Sequence, residues 1–177
     1  MHQMTDLPQT LTAGLSEEVL TSNARVRKEG GRNLVDAAIT AGAKCFISQS
    51  LAWVYAPKPE GHGPHIEEDP LDSNASGADG VTVGGVVALE HKTLHSPPLR
   101  GIVLRYGKLY GPGTWSAIAS GNVPVHVDAA ARAAVLAMQS NYSGIFNIAE
   151  EKGLVSAAKA RRELGWQPEF RLEDQGP

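Results

Sequence analysis

Two hydroxyls, Ser48 and Ser50, sit in the stretch CFISQSLAWVY (45–55), where an apolar run gives way to serines and then to aromatics. A serine at the end of a buried strand either orients a substrate oxygen or hydrogen-bonds a loop amide, and Ser50 is open to both readings. The other concentration of reactive types is HGPHIEED, with His62, His65, Glu67, Glu68 and Asp69. Its residue types could ligate a metal. It lies, however, among prolines and glycines, without the helical i, i+4 pair that fixes such ligands, so a solvated acidic loop and no metal site are expected. The single cysteine, Cys45, has apolar neighbours and reads as a small buried hydrophobe rather than a nucleophile.

The elements that must position these groups follow from periodicity and caps. SEEVLTSNARVRKEGGRNLVDAAITAGAK opens on Ser16 and two acids and closes at Gly42, which suits one long helix or two joined ones. Gly30 and Gly31 interrupt it, and close approach of another backbone would repay their cost in propensity. CFIS reads as a buried strand, and residues 56–80 as a long loop of the kind that forms a lid or an insertion. VTVGGVVALEHKTL is helical, RGIVLRY a second buried strand, and GKLYGPGT a loop by its glycines and proline. A helix in DAAARAAVLAMQ capped by Asp128, a strand in GIFNIA and a short helix from Ser156 to Gly165 complete the chain, with His126 at a strand end or helix entry. Lys159, Arg161 and Arg162 read as a solvated helix face. Strand and helix alternating in this way imply a parallel α/β sheet, whose ligands bind outside the carboxyl ends of the strands.

Composition narrows the field. The chain of 177 residues carries 16 basic and 19 acidic residues, a net charge of -3, and gives no electrostatic footprint for nucleic acid or an anionic membrane surface. No apolar run reaches the length of a membrane span, and the first residues lack a basic stretch followed by an apolar one, so a cytoplasmic protein is expected.

The text GGRNLVDAAITAGAKCFISQSLAWVY, LRYGKLYGPGT, VPVHVDAAARAAVLAM, GIFNIAEE and KARRELGWQP, in that order, resembles the extended short-chain dehydrogenase/reductase superfamily, in its NAD(P)-dependent epimerase/dehydratase group. The resemblance implies a Rossmann-type domain with flanking helices, NAD or NADP as cofactor, and a small-molecule substrate, commonly a nucleotide sugar or related carbinol. It implies one partial Rossmann-like domain over 1–177, with 107–177 carrying the substrate side. The family's opening glycine turn, G-x-x-G-x-x-G, has no counterpart in the sequence. HQMTDLP matches the family's text after its fourth strand, which makes Gln3, Met4 and Thr5 candidates for the nicotinamide side.

Ser50 matches the family's catalytic serine, with Ser48 as its neighbour, and Tyr106 a residue that packs on the cofactor. Lys108 and Tyr110 fall on the substrate side. Anchoring the helix on Glu90 puts Thr82 at the place of the family's catalytic tyrosine and Val86 at that of its lysine. A proton-transfer pair, in which lysine lowers the tyrosine pKa, is therefore missing, and Tyr55, with Lys58 nearby, is the one substitute the text offers. Arg27 stands where the family often has asparagine. Two functions follow as expectations: an atypical epimerase/dehydratase-like oxidoreductase, or a non-catalytic binding module of the same fold, acting through protein contacts, with a partner or a second copy (a homo-oligomer) covering an open sheet edge.

Overall fold

A computed structural model describes residues 1–8, 15–151 and 154–172. Strands β1 (Cys45–Leu51), β2 (Arg100–Tyr106) and β5 (Gly144–Ile148) form a parallel sheet in the order β1-β2-β5. His2 extends it beyond β1: its N–H donates to the Ile47 carbonyl at 2.8 Å, and its own carbonyl accepts from Gln49 N–H at 3.0 Å. Lys108–Tyr110 (β3) and Pro124–His126 (β4) pair in a second, two-stranded parallel sheet. The expected parallel α/β architecture is therefore present, with β1 running three residues past CFIS and with a short strand where GKLYGPGT suggested only a loop.

Helices cover both faces because successive strand residues point opposite ways. On one face Ile47, Ile102, Leu104, Phe146 and Ile148 pack against Ala129, Ala130, Ala133 and Ala137 of α4 (Val127–Gln139) and against fully buried Trp166, whose indole N–H donates to the Ala129 carbonyl at 2.8 Å. Small alanines let this helix lie close to the sheet. His126, rather than Asp128, caps α4: its side chain accepts from the Asp128 N–H. Ala160–Leu164 forms a π-helical turn that ends at Gly165 in a left-handed conformation, φ 66°.

The other face carries α3 (Gly77–Leu94), which starts four residues before its apolar pattern, and the pair α1 (Glu17–Arg25) and α2 (Gly31–Thr40). Ser16 caps α1 by accepting from Val19 N–H. Of the two expected forms, one long helix or two joined ones, the second is present: a π-helical segment, Val26–Gly30, joins α1 to α2. Close approach is the reason for the small residues here. A Cβ on Gly31 would stand 2.5 Å from Leu89 Cδ1, and one on Gly85 2.9 Å from Ala24 Cα. Cys45 is half-buried at the rim of the core rather than buried.

Most of residues 56–76 are exposed or half-buried, as an acidic loop suggests, but His65 and Glu67 are buried and anchor the segment to the fold. His65 N–H donates to the Leu154 carbonyl and the His65 carbonyl accepts from Ser156 N–H, both at 2.8 Å. The Glu67 carboxylate accepts from Asn147 N–H at 2.8 Å. The loop thus satisfies a backbone donor of the edge strand β5, and His65 and Glu67 are buried, not exposed as the acidic text suggested.

Candidate active site

The strand register brings Ser50, Arg105 and Asn147 into one row near the carboxyl ends of β1, β2 and β5. All three are buried on the face that α3 covers. Glu90 descends from α3 onto this row. Ser50 Oγ donates to Glu90 Oε1 at 2.5 Å, and Arg105 grips the same carboxylate with Nε at 2.9 Å and Nη2 at 2.7 Å. One row lower, Thr93 Oγ1 donates to Ser48 Oγ at 3.0 Å. Arg105 Nη1 donates to Tyr55 Oη at 2.7 Å and to the Glu67 carbonyl, and the Tyr55 hydroxyl donates to Asn147 Oδ1 at 2.7 Å. His65 stacks on the Tyr55 ring at 4.7 Å.

These contacts set the protonation states. Burial would lower the Arg105 pKa, but hydrogen bonds and attraction from Glu90 and contact with Tyr55 hold it above the ordinary value. Burial pushes Tyr55 up to about 12 against the pull of Arg105, so its phenol stays protonated at neutral pH. Burial also raises Glu67 and lowers His65, whose Nδ1 stands 3.4 Å from Asp69 Oδ2. The Ser50 hydrogen is committed to Glu90, which leaves its oxygen lone pairs as acceptors.

The structure brings Ser50 and Tyr55 into this one network and places the remaining candidates around it. Thr82 donates its hydroxyl to the Ala78 carbonyl of its own helix, and Val86 is fully buried beside Leu51, Val54 and Val83. Neither supplies a proton relay. Tyr106 lies on the opposite face, its hydroxyl donating to the Ala130 carbonyl at 3.1 Å; burial raises its pKa, while a hydrogen bond with Gln3 works against that. Gln3, Met4 and Thr5 are exposed just beyond the His2 bridge. Lys108 is exposed, and Tyr110 donates to Glu150 Oε1 at 2.7 Å and accepts from Arg171 Nη2 at 3.2 Å. Arg105 and Asn147 escaped the sequence reading as site residues, and Glu67 entered it only as a discounted metal ligand. The signal for the first two was a charged or amide side chain inside the apolar runs RGIVLRY and GIFNI, where burial forces a polar partner.

No family model matches the chain. It is 35% identical over 174 residues to the 3-diazoavenalumate denitrifying reductase of a Streptomyces species, a match covering 86% of this chain and 55% of that protein. The chain thus spans about half the length of that curated relative. Among solved structures, RMD from Pseudomonas aeruginosa complexed with NADPH superposes with a TM-score of 0.71 at 15% identity, covering 96% of this chain and 79% of that one. UDP-glucose 4-epimerase from Thermotoga maritima with UDP-glucose gives 0.68 at 20% identity, covering 94% and 74%. The dTDP-glucose 4,6-dehydratase DesIV from Streptomyces venezuelae, with NAD bound, gives 0.70 at 16%, covering 93% and 68%. The sheet and its helical layers therefore define a Rossmann-like α/β protein. It shares this fold with solved epimerases and dehydratases that bind NAD.

Proposed function

We propose that this chain is the nicotinamide- and substrate-side portion of an NAD(P)-dependent oxidoreductase that works as a reductase on an acceptor needing no protein acid. The observation that carries this reading is the pair Thr82 and Val86. One hydroxyl is spent on its own helix and the other side chain is core, so no tyrosine with a lysine-lowered pKa stands on α3. Reducing a carbonyl consumes a hydride and a proton, and Tyr55, held protonated among Arg105 and Asn147, is a poor donor of that proton. A cationic, electrophilic acceptor such as an aryl diazonium group is different. Hydride adds, the carbon–nitrogen bond breaks, dinitrogen leaves with that bond's electron pair, and no proton enters the balance.

The residues present fit the nicotinamide side of a dinucleotide. Gln3, Met4 and Thr5 are exposed past the edge bridge, and His2 Nε2 and Arg27 Nε are buried nitrogens without a partner among the described residues. A bound reduced nicotinamide would supply the hydride. In this reading Ser50 offers its lone pairs to orient the substrate, and 107–177, with Lys108 and Tyr110, form the substrate side. A nucleotide sugar is the alternative substrate, favoured by the UDP-glucose-bound epimerase of the same fold.

The test is isotopic. The chain is incubated with reduced cofactor deuterated at C4 and with either an aryl diazonium salt or a 4-keto nucleotide sugar. Deuterium in the arene product, with dinitrogen released, is expected. Deuterium only in the sugar would shift the reading to the alternative, and none in either would overturn hydride transfer.

A further inference from the structure

Among the described residues, no carboxylate holds the buried cation Arg27. It is 4% exposed, its Nη1 donates to the Gln49 carbonyl at 3.1 Å, and its Nε has no partner. Glu90 attracts it from a distance, but that carboxylate is occupied by Ser50 and by both ends of the Arg105 fork. Among the described residues no ion pair within 4.0 Å includes Arg27. One carboxylate between two arginines leaves one positive charge in surplus.

A second unpaired donor lies beside it. His2 Nδ1 accepts from Met4 N–H at 3.2 Å, so in the neutral ring the proton sits on Nε2, which is buried without a partner. Burial and the Arg27 charge both keep that ring neutral. Leaving a buried guanidinium nitrogen unsatisfied is costly, and such groups persist where a ligand or a field requires them. The backbone supports this placement. Arg27 projects from the π-helical segment Val26–Gly30, a local irregularity that is frequent at functional sites, and its anchor, Gln49, immediately precedes Ser50 at the carboxyl end of β1. In an open parallel sheet that end is where the ligand lies.

We infer that Arg27 selects the redox state of the nicotinamide: its uncompensated charge favours the neutral reduced ring over the cationic oxidised ring. The inference rests on the dinucleotide reading above. This charge helps the chain load the reduced cofactor and release the oxidised one, at the cost of making the bound reduced ring a weaker hydride donor by the same factor. Arg27 thus acts through its field, as a discriminating residue rather than as an acid or base.

The experiment compares dissociation constants for NADH and NAD+ in the wild-type chain, Arg27→Gln and Arg27→Lys. Glutamine removes the charge and lysine keeps it, and neither retains the full guanidinium contact with the Gln49 carbonyl, so comparing the two isolates the charge. The expected result is tighter binding of NADH by the wild type, a preference that falls roughly tenfold in Arg27→Gln and survives in Arg27→Lys. An unchanged preference in Arg27→Gln overturns the inference and leaves the dinucleotide reading standing. Binding of neither nucleotide by the folded wild type overturns both. Should Arg27→Gln fail to fold, the wild type decides alone: tighter NADH binding supports the inference, and equal or tighter NAD+ binding overturns it.

Discussion

Glu90→Gln should be among the most damaging single changes in the molecule. Glu90 is 5% exposed and Arg105 3%, and the two share a bidentate contact at 2.9 and 2.7 Å. Neutralising the carboxylate leaves a buried guanidinium without a counter-charge, held by one amide oxygen, Tyr55 and the Glu67 carbonyl, and breaking such a pair from one side costs about 3–5 kcal/mol. Ser50→Ala is a smaller change at the same place. It removes one donor from a carboxylate that keeps two from Arg105, a loss of about 1 kcal/mol. Urea unfolding followed by circular dichroism, with slopes compared to confirm an unchanged unfolding transition, measures both. A double replacement of Glu90 and Arg105 by methionine should be less damaging than the sum of the two single ones, because it leaves no orphan charge. A loss for Glu90→Gln no larger than that for Ser50→Ala would refute the reasoning and return the row to ordinary core.

Gly85→Ala forces a Cβ to 2.9 Å from Ala24 Cα and should lower stability by about 1–3 kcal/mol, read as a lower urea midpoint. Trp166→Phe removes the donor to the Ala129 carbonyl and should cost about 1–3 kcal/mol by the same measurement. Stability should fall as pH drops below about 6.5, where the unfolded chain gains protons on His2 and His65 that the folded chain, with both pKa values lowered, refuses. His65→Gln should flatten that slope. Glu67 works in the opposite sense: its raised pKa gives stability that is full below about pH 4.3 and is lost as pH rises toward the folded value. A pH series of unfolding curves for wild type and Glu67→Gln should show the variant without that loss.

Local text carried much of this architecture. RGIVLRY is β2 residue for residue because an apolar run between breakers has few other readings, and Ser16 capped its helix because a cap depends only on neighbours. The failures were non-local. β3 exists only by pairing with β4 across a loop, and nothing in GKLYGPGT announces that partner. Likewise Glu67 and His65 read as solvated because their charge is written in the sequence, whereas Asn147, Leu154 and Tyr55, which bury them, are brought there by folding. At the site, Ser50 was legible as a strand-end serine. Its proton acceptor was not, because Glu90 served only to set the helix register and Arg105 was hidden in an apolar strand.

Nicotinamide fluorescence, followed as the folded chain is titrated into NADH and NADPH, bears most directly on the claim that these strand ends hold a hydride donor. Saturable binding of at least one reduced nucleotide, weakened by Met4→Glu beside the edge bridge, is the result expected. No saturable signal for either nucleotide, from a sample whose circular dichroism shows the α/β fold, would contradict it.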